Sequence, residues 1–478
     1  MNDTTAVQVL TEQQVQEACP QVQAWLCQAL VPTTNPSEQA GEPRGPGRPQ
    51  TVSWPHLWLS LLMSVLLGMK SYQDWWRRMC SEWIGPFAPV QVTDDALIKR
   101  LKEAGIVPLL TLLQSISQSL ASQLPGLIPC MLAPFASRIV CIDESTWDAI
   151  KRHLVALREV ADGDVRLLPG KLAGRFNIRT QQWELLQWRN NAVANCKVEV
   201  LSLLEGLPAF SLILFDLGYF SFAWLDYLTQ MQYWFVCRLR EKVSYRIVHT
   251  SYRHEGILDA LVWVGVYRSR CGHLLPLVRF HDGKGLRTYL TNVLDPTQLT
   301  MRQVAQLYAR RWDIELAFLT LKSHLGLHHW WSSQPVLVQQ QCLLVLIVAQ
   351  LLQALRMQIA AQADVDPFEV SLPLLIASVP YFIRTQQEPV RWVLTHGKHL
   401  GFIRPSSRYV PKVPQVPLDA LRWPSQPIKL TRLAGYLEYT PLDQCPDGGS
   451  SKVSKTGSAK KRAATKMRSQ APSPPLDS

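Results

Sequence analysis

The chain has 478 residues, of which 47 % are hydrophobic and 18 % are charged. This length suffices for two to four domains, and the composition excludes wholesale disorder. The 49 Lys and Arg residues outnumber the 37 Asp and Glu residues, and the resulting net charge of +12 favours a polyanionic partner. The ten cysteines form no Cys-x-x-Cys pair, and the first twenty residues include acids and no apolar run. A disulfide scaffold, a zinc site and a signal peptide are therefore not expected.

The N-terminal part of the chain is predicted to be helical. Residues 1–50 combine a helix at 6–31 with a Pro- and Gly-rich linker. Residues 51–135 have helical periodicity and predict an α-helical N-terminal domain. Within it, 52–69 contains no charged residue, but it is short for a membrane span and includes a proline and a histidine. We interpret this segment as a buried helix.

From residue 136 onward, short apolar runs alternate with helical segments, which predicts a mixed sheet flanked by helices. Strands are predicted at 138–142, 173–180, 183–189, 211–215 and 233–240, and helices at about 191–205 and 221–231. Strand-like runs at 261–267, 274–280 and 287–293 predict a β-rich insertion at about 241–298. A long helix at 301–324 and helices at 336–360 and 369–397 follow, so that 333–445 is predicted to be a helical C-terminal region. The Gly-, Ser- and Lys-rich residues 446–478 are typical of a disordered basic tail.

Two aspartates directly follow predicted buried strands. Asp143 comes after 138–142, and Asp216 comes after 211–215. Ligand sites in open α/β sheets gather at the carboxyl ends of strands, so we expect these carboxylates to lie close together. Close like charges are unfavourable unless a cation lies between them, and oxygen ligands favour Mg²⁺ or Mn²⁺. A strand-ending aspartate can also simply cap the next helix.

A third acid lies on the long predicted helix. Tyr308, Arg311, Glu315 and Lys322 fall at offsets of −7, −4, 0 and +7 from the glutamate, so a helix places them on one face. An ordinary solvated Arg–Glu pair explains two of these four residues and leaves the tyrosine and the lysine unexplained. Other positions of the helix, Trp312 among them, are expected to supply its packing.

These residues resemble a known family. The four residues match the Tyr-x2-Arg-x3-Glu-x6-Lys signature of bacterial insertion-sequence DDE transposases, which have an RNase H-like catalytic core. Residues 143–146 and 216–219 are similar to that family's first and second aspartate motifs. The resemblance covers roughly 136–332. It implies an α/β fold with an RNase H-like mixed sheet flanked by helices and carrying the β-rich insertion, in addition to the helical N-terminal domain and the helical C-terminal region.

The resemblance also implies an enzyme and a site. Asp143, Asp216 and Glu315 would hold two Mg²⁺ or Mn²⁺ ions, and the enzyme would cleave transposon ends and transfer them into target DNA. Arg311 and Lys322 would pair with phosphates near the cut, and Tyr308 would hydrogen-bond a phosphate or stack near the DNA end. The implied partner is DNA, bound by a homodimer in the bacterial cytoplasm at the nucleoid. The N-terminal domain is a candidate reader of the DNA ends, and 333–445 is a candidate dimerisation region.

Two alternatives to a transposase remain open. A metal-dependent nuclease would use the same three carboxylates to cut DNA without joining it. A transposase-derived DNA-binding protein would have no catalysis, although retention of all three acids with their basic neighbours argues against it. A membrane protein is a more distant alternative, because 336–355 includes Gln339, Gln340, Gln341 and Gln350, which suit a buried helix better.

Several further residues are open to two interpretations. Arg238 and Arg240 alternate along a predicted strand, so they either contact the DNA backbone or face solvent as ordinary arginines. Trp263 in the insertion could stack on a base or fill the strand core. His324, His328 and His329 lack a neighbouring Cys or acid that would complete a zinc set, and we interpret them as ordinary histidines.

Overall fold

The computed structural model describes residues 52–84, 87–123, 132–146, 155–161, 170–189, 196–197, 200–266, 269–385, 387–406 and 408–432. The predicted helix at 6–31, its linker and the basic tail at 446–478 lie outside the described residues.

Four helices begin the described part of the chain, as the sequence predicts. They are α1 Trp54–Leu66, α2 Tyr72–Ser81, α3 Asp94–Ala104 and α4 Val107–Gln123. The first three begin at side-chain caps, because Ser53, Ser71 and Thr93 each accept a hydrogen bond from a backbone N–H of the first turn. Their apolar faces pack on the long helix of the C-terminal region, so that these helices belong to the core that supports the sheet.

Nine strands form one continuous mixed sheet. They are β1 Ile139–Thr146, β2 Lys171–Asn177, β3 Gln182–Arg189, β4 Leu212–Leu214, β5 Trp234–Arg238, β6 Tyr245–His254, β7 Ile257–Val266, β8 Ser269–His281 and β9 Leu286–Thr291. Their order across the sheet is β3-β2-β1-β4-β5-β9-β8-β7-β6. The β1–β4 and β4–β5 pairs are parallel, and all other pairs are antiparallel.

Helices cover both faces of this sheet. The helix α5 Phe222–Gln230 packs on one face, and α6 Met301–Arg310, α7 Trp312–Leu319, α8 Pro335–Gln362 and α9 Leu372–Thr385 belong with α1–α4 on the other; α10 Pro389–His396 packs against α8. Alternate residues of β1 divide between the two faces: Ile139 and Cys141 contribute to one hydrophobic core, and Val140 and Ile142 to the other. The mixed α/β sheet with flanking helices agrees with the predicted fold class.

The long helix α8 is buried through most of its length. In the described part of the chain it is the one helix long and apolar enough to cross a membrane, and 72 % of its most apolar window is buried inside the protein. Its buried glutamines have hydrogen-bond partners. Gln340 donates to the carbonyls of Leu101 and Gly105 at 2.7 and 2.6 Å, and Gln350 donates to the carbonyl of Trp183 at 3.0 Å. These contacts tie the helix to the N-terminal helices and to β3.

The structure corrects several predicted boundaries. Asp143 lies inside β1, because pairing with β2 extends that strand to Thr146. The hairpin turn lies at 178–181 and includes Gln181 at a φ of 55°, whereas the sequence placed it at 181–182. In the predicted helix at 191–205, residues 200–204 form a 3₁₀ helix. The insertion contains long strands, including the unpredicted β6, and joins the main sheet through β9, which pairs with β5.

Candidate active site

Two of the three predicted carboxylates lie on neighbouring parallel strands, Asp143 inside β1 and Asp216 two residues beyond the end of β4. Because β1 and β4 are parallel, with Cys141 opposite Leu214, two further residues along each strand bring Asp143 level with Asp216. The helix α7, which carries Glu315, packs across β1, and the Cys141 Sγ lies 3.8 Å from the carbonyl oxygen of Arg310 just before that helix. The sheet and α7 therefore bring the three acids to one region.

The pKa of Asp143 is shifted by the two other acids. Burial raises its pKa, a hydrogen bond from the Glu144 N–H opposes the rise, and the charges of Asp216 and Glu315 add to it. Arg311 partly offsets these acids, and the net result is a pKa of about 7. Asp143 is thus a partly buried carboxylate with two further acids within electrostatic range.

Each carboxylate also has a local hydrogen-bond donor. Asp143 accepts from the N–H of Glu144 at 2.8 Å, and Asp216 accepts from the N–H of Gly218 at 2.9 Å. Glu315 forms an ion pair with Arg311, one turn earlier, at 2.6 Å. Gly218 also leaves room at this point, because a Cβ there would lie 3.0 Å from the Asp216 side chain.

The three carboxylates are suitable ligands for a hard divalent cation, although their positions do not form a complete coordination site. Among the residues that the structure describes, no group of three His, Cys, Asp or Glu side chains is arranged to hold a metal ion. Mutual repulsion of the acids and the pairing of Glu315 with Arg311 explain this separation. Carboxylate oxygens such as those of Asp143, Asp216 and Glu315 are the ligands that Mg²⁺ and Mn²⁺ prefer.

The four residues predicted to share one helix face, Tyr308, Arg311, Glu315 and Lys322, do not lie on one regular helix. The helix is interrupted at Arg311, and Thr320–His324 forms a π-helical turn after α7. Lys322 on that turn lies within electrostatic range of Asp143 and Glu315, which counteract the lowering of its pKa by burial. Tyr308 is partly buried and packs against Tyr289, with ring centroids 5.2 Å apart. Irregular helical turns of this kind often occur at functional sites.

Arg238 and Arg240 have different surroundings. Arg238 ends β5 opposite Tyr289 and lies within electrostatic range of Tyr308, so it borders the carboxylate region. Arg240 lies beyond the strand and donates from Nη2 to the carbonyl oxygen of Leu217 at 2.7 Å. Its guanidinium thereby holds the loop that carries Asp216.

Sequence reasoning missed a buried acid on α7. The Asp313 carboxylate is fully buried and accepts hydrogen bonds from Arg310 at 2.8 Å, Gln181 at 2.9 Å and Arg408 at 2.5 Å. Its position, two residues before Glu315, places it on the opposite side of the helix. A carboxylate on the buried face of a helix requires charged partners. The position of Asp313 on the side of the helix opposite Glu315 could have been read from the sequence.

Trp312 was wrongly assigned to packing. Its side chain is 54 % exposed, next to the guanidinium of Arg311 at 5.9 Å from the ring centroid. Glu144 points away from Asp143, because neighbouring residues of a strand face opposite sides. It pairs instead with buried Lys171 at 2.6 Å and with Arg189 at 3.5 Å. It therefore faces a separate buried ion-pair cluster.

The remaining candidates lie apart from the carboxylates' immediate contacts. One face of Trp263 is covered by the guanidinium of Arg432 at 4.6 Å, so that face is not open to a base. The rings of His328 and His329 contact each other at 4.1 Å, and His328 also contacts the carbonyl oxygen of Lys322 through Nδ1.

Comparison with known proteins points to one enzyme class. Residues 193–351 match the sequence model of the transposase DDE domain family, a range that includes Asp216 and Glu315. Comparison with curated proteins finds no match. Among solved structures, the chain is similar to a piggyBac transposase in a synaptic complex with hairpin DNA, at 10 % identity and a TM-score of 0.37, over 83 % of this chain and 85 % of that one. Through its match at 193–351, the chain is similar to DDE transposases, and this similarity supports a DNA transposase.

Proposed function

We propose that this protein is a DDE transposase that cleaves transposon ends and joins them to target DNA. The observation that carries the proposal is that the parallel β1–β4 pair places Asp143 level with Asp216, while α7, which carries Glu315, packs on β1. The match to the transposase DDE domain supports the reaction class.

Asp143, Asp216 and Glu315 are the residues that would hold two divalent ions, Mg²⁺ or Mn²⁺. When bound, such ions activate the attacking oxygen and stabilise the leaving oxygen of a phosphodiester. The chain's own groups would bind and orient the DNA. Arg311 and Lys322 are next to the acids and would pair with phosphates beside the scissile bond.

Further groups would complete the DNA contacts. Arg238 lies beside Tyr308 at the border of the site and would bind a backbone phosphate there. Tyr308 would donate a hydrogen bond from its hydroxyl to a phosphate oxygen or stack near the DNA end. Arg240 would act by fixing the Asp216 loop through the Leu217 carbonyl. We further propose a homodimer that holds two transposon ends, working in the bacterial cytoplasm.

The test is a cleavage and strand-transfer assay on duplex DNA that carries the element's own ends, with Mg²⁺. Wild type is compared with Asp143→Asn, Asp216→Asn and Glu315→Gln, and DNA binding of each is measured in parallel. We expect joined products from wild type and a loss of at least about a thousandfold in each variant while binding persists. Cleavage without joining would instead indicate a nuclease, and binding without chemistry in any protein would indicate an inactive descendant.

A further inference from the structure

The hairpin that joins β8 to β9 projects past the level of the predicted carboxylates. The β4–β5 register places Asp216 level with Arg238, and Arg238 pairs with Tyr289 of β9. Because β9 runs antiparallel to β5, the residues before Tyr289 continue outward beyond the end of β5. We call the connecting residues 282–285 the hairpin tip. The hairpin tip therefore overhangs the edge of the sheet at which Asp143 and Asp216 lie.

The register also gives the distance between the hairpin tip and the acids. Tyr289 is four positions after Gly285, which corresponds to about 13 Å at about 3.3 Å per residue. Across the sheet, β9 lies two strands from β4 and three from β1, which corresponds to about 10–14 Å. The hairpin tip is thus on the order of 15–20 Å from Asp143 and Asp216, a span of roughly five base pairs of duplex at about 3.4 Å each.

A buried aspartate holds the hairpin tip in one conformation. The Asp282 carboxylate accepts hydrogen bonds from the N–H groups of Lys284 and Gly285, both at 2.9 Å, and from Nε of Arg287 at 2.7 Å. Gly283 supports the same turn with a φ of 87°, which a residue with a side chain rarely adopts. Asp282 is the one acid in the sequence of the hairpin tip, and its charge is paired with Arg287 inside the turn.

The C-terminal segment fixes a second lysine beside the hairpin tip. Arg408 forms an ion pair with the buried Asp313 of α7 at 2.5 Å. The next residue, Tyr409, donates from its hydroxyl to a backbone carbonyl of the hairpin tip at 3.0 Å. Three residues further on, the side chain of Lys412 lies along Gly283, where an added Cβ would be 3.3 Å from the Lys412 Cδ. This segment therefore connects α7 to the hairpin tip.

Two lysines present their charges on the outside of this structure. Lys284 and Lys412 are both exposed, and the Lys284 Nζ lies 4.2 Å from the ring centroid of Tyr409, which is itself 42 % exposed. The cation–π contact keeps this ammonium group near the ring and leaves its charge accessible. Within the described part of the chain, neither ammonium group has a carboxylate within ion-pair distance. Both groups are therefore available to an anionic partner.

We propose that Lys284 and Lys412 bind backbone phosphates of duplex DNA roughly five base pairs from the scissile phosphate. The choice of DNA rests on the proposed function, because the hairpin tip lies at the edge of the sheet where DNA must reach the carboxylates. Lysine ammonium groups suit phosphates of a duplex because they act as point charges on long, adaptable stems. Such contacts position DNA without reading its sequence.

The test measures binding of a duplex of about 30 base pairs to the full chain without divalent metal, as a function of salt. The variants are Lys284→Gln, Lys412→Gln and the two combined, and Lys284→Arg/Lys412→Arg retains the charge. Lys429→Gln is the matched control, because Lys429 is exposed on the same C-terminal segment. Its neighbour Leu430 pairs with Leu274, seven residues before the end of β8, so Lys429 lies on the order of 20 Å from the hairpin tip. Thermal unfolding verifies that each variant is folded.

We expect each single glutamine variant to make the slope of log K against log salt shallower by about 1, and the double glutamine variant by about 2. At about 0.1 M salt the double glutamine variant should bind roughly tenfold more weakly than wild type. The double arginine variant and Lys429→Gln should bind like wild type. A folded double glutamine variant with the same slope as Lys429→Gln would overturn the proposal and leave an acidic protein surface as the alternative partner. Because the assay needs neither metal nor cleavage, its failure is distinguishable from failure of the catalytic test.

Discussion

Asp143 and Glu144 are adjacent acids with different surroundings. The strand places Asp143 with Asp216 and Glu315, whereas Glu144 faces the other side and has Lys171 and Arg189 as partners. Glu144 is balanced by two cationic side chains, whereas Asp143 has two further carboxylates within electrostatic range. The phase of a single strand thus decides which of two neighbouring carboxylates can take part in metal chemistry.

Arg238, at the end of β5, and Arg240, just beyond it, should have separable effects. Arg240→Gln removes the 2.7 Å hydrogen bond to the Leu217 carbonyl and frees the Asp216 loop, so we expect kcat for cleavage to fall by about tenfold or more with little change in DNA affinity. Arg238→Gln should mainly weaken DNA binding, because this residue borders the site without holding the loop. Steady-state cleavage and equilibrium binding, measured on both variants, check the distinction. Equal effects of both variants on binding would contradict it.

Asp313 should contribute strongly to stability. Asp313→Asn leaves Arg310 and Arg408 with no carboxylate partner in a buried place, and such losses cost about 3–5 kcal/mol. Because the network supports the helix that carries Glu315, cleavage should fall as well. Denaturant unfolding measures the loss, with exposed Asp419→Asn as the control. A change below about 1 kcal/mol would show that the network does not hold the helix.

The β2 strand passes close to the acids and needs a glycine there. Gly174 lies directly opposite Asp143, and a Cβ at this position would come within 2.4 Å of the Trp183 ring. Trp183 in turn packs against Phe318 of α7 at 4.8 Å between ring centroids. The close approach of β2 and β3 thus transmits packing directly to the helix that carries the third carboxylate.

Gly174→Ala is therefore expected to lower the free energy of unfolding by about 1–3 kcal/mol through overpacking. Displacement of Trp183 should also reduce cleavage through Phe318. Gly285→Ala is the control, because a Cβ there meets no atom within 4 Å. Chemical denaturation of both variants tests this, and equal stability of the two would rule out the proposed contact.

The β7 strand contains an acid that should make stability depend on pH. Burial raises the pKa of Asp259 to about 6, from 3.8 in an exposed carboxyl. The protonated form is favoured in the folded state, so this stabilisation is complete below pH 3.8 and is lost as the pH rises through about 6. Asp259→Asn should then be more stable than wild type at pH 8, by up to about 3 kcal/mol, and the difference should shrink toward pH 4. Unfolding measured between pH 4 and 8 checks the sign, and a constant difference would refute it.

Local patterns predicted the elements that carry the acids, but not their surroundings. The buried runs before Asp143 and Asp216 and the helix around Glu315 are visible because each depends on residues close in sequence. The order β5-β9-β8-β7-β6 depends on pairing between distant segments. The edge strand β6 has few buried residues, so it lacks the apolar run by which the other strands were predicted. The π-helical turn at Thr320–His324 likewise depends on packing against α8, and the charged network around Asp313 depends on Gln181 in the β2–β3 turn and on Arg408.

The three carboxylates lie where the central sheet contacts the helices that cover one of its faces. The parallel pair β1–β4 is flanked by β2 on one side and β5 on the other, and α7 lies across it with α8 behind. The antiparallel strands β6–β9 extend the same sheet away from the acids, and backbone hydrogen bonds tie residues 422–432 to β6 and β8. The acids are therefore positioned at the parallel centre of one continuous sheet.

The decisive measurement is a Mn²⁺ binding isotherm on the full chain without DNA, for wild type, Asp143→Asn, Asp216→Asn and Glu315→Gln. Exposed Glu103→Gln serves as the control. If the three carboxylates form one metal site, each of the three variants should weaken Mn²⁺ binding by about tenfold or more, and Glu103→Gln should bind like wild type. Wild-type affinity in Asp143→Asn and Glu315→Gln would contradict a shared metal site and, with it, the catalytic role of these acids.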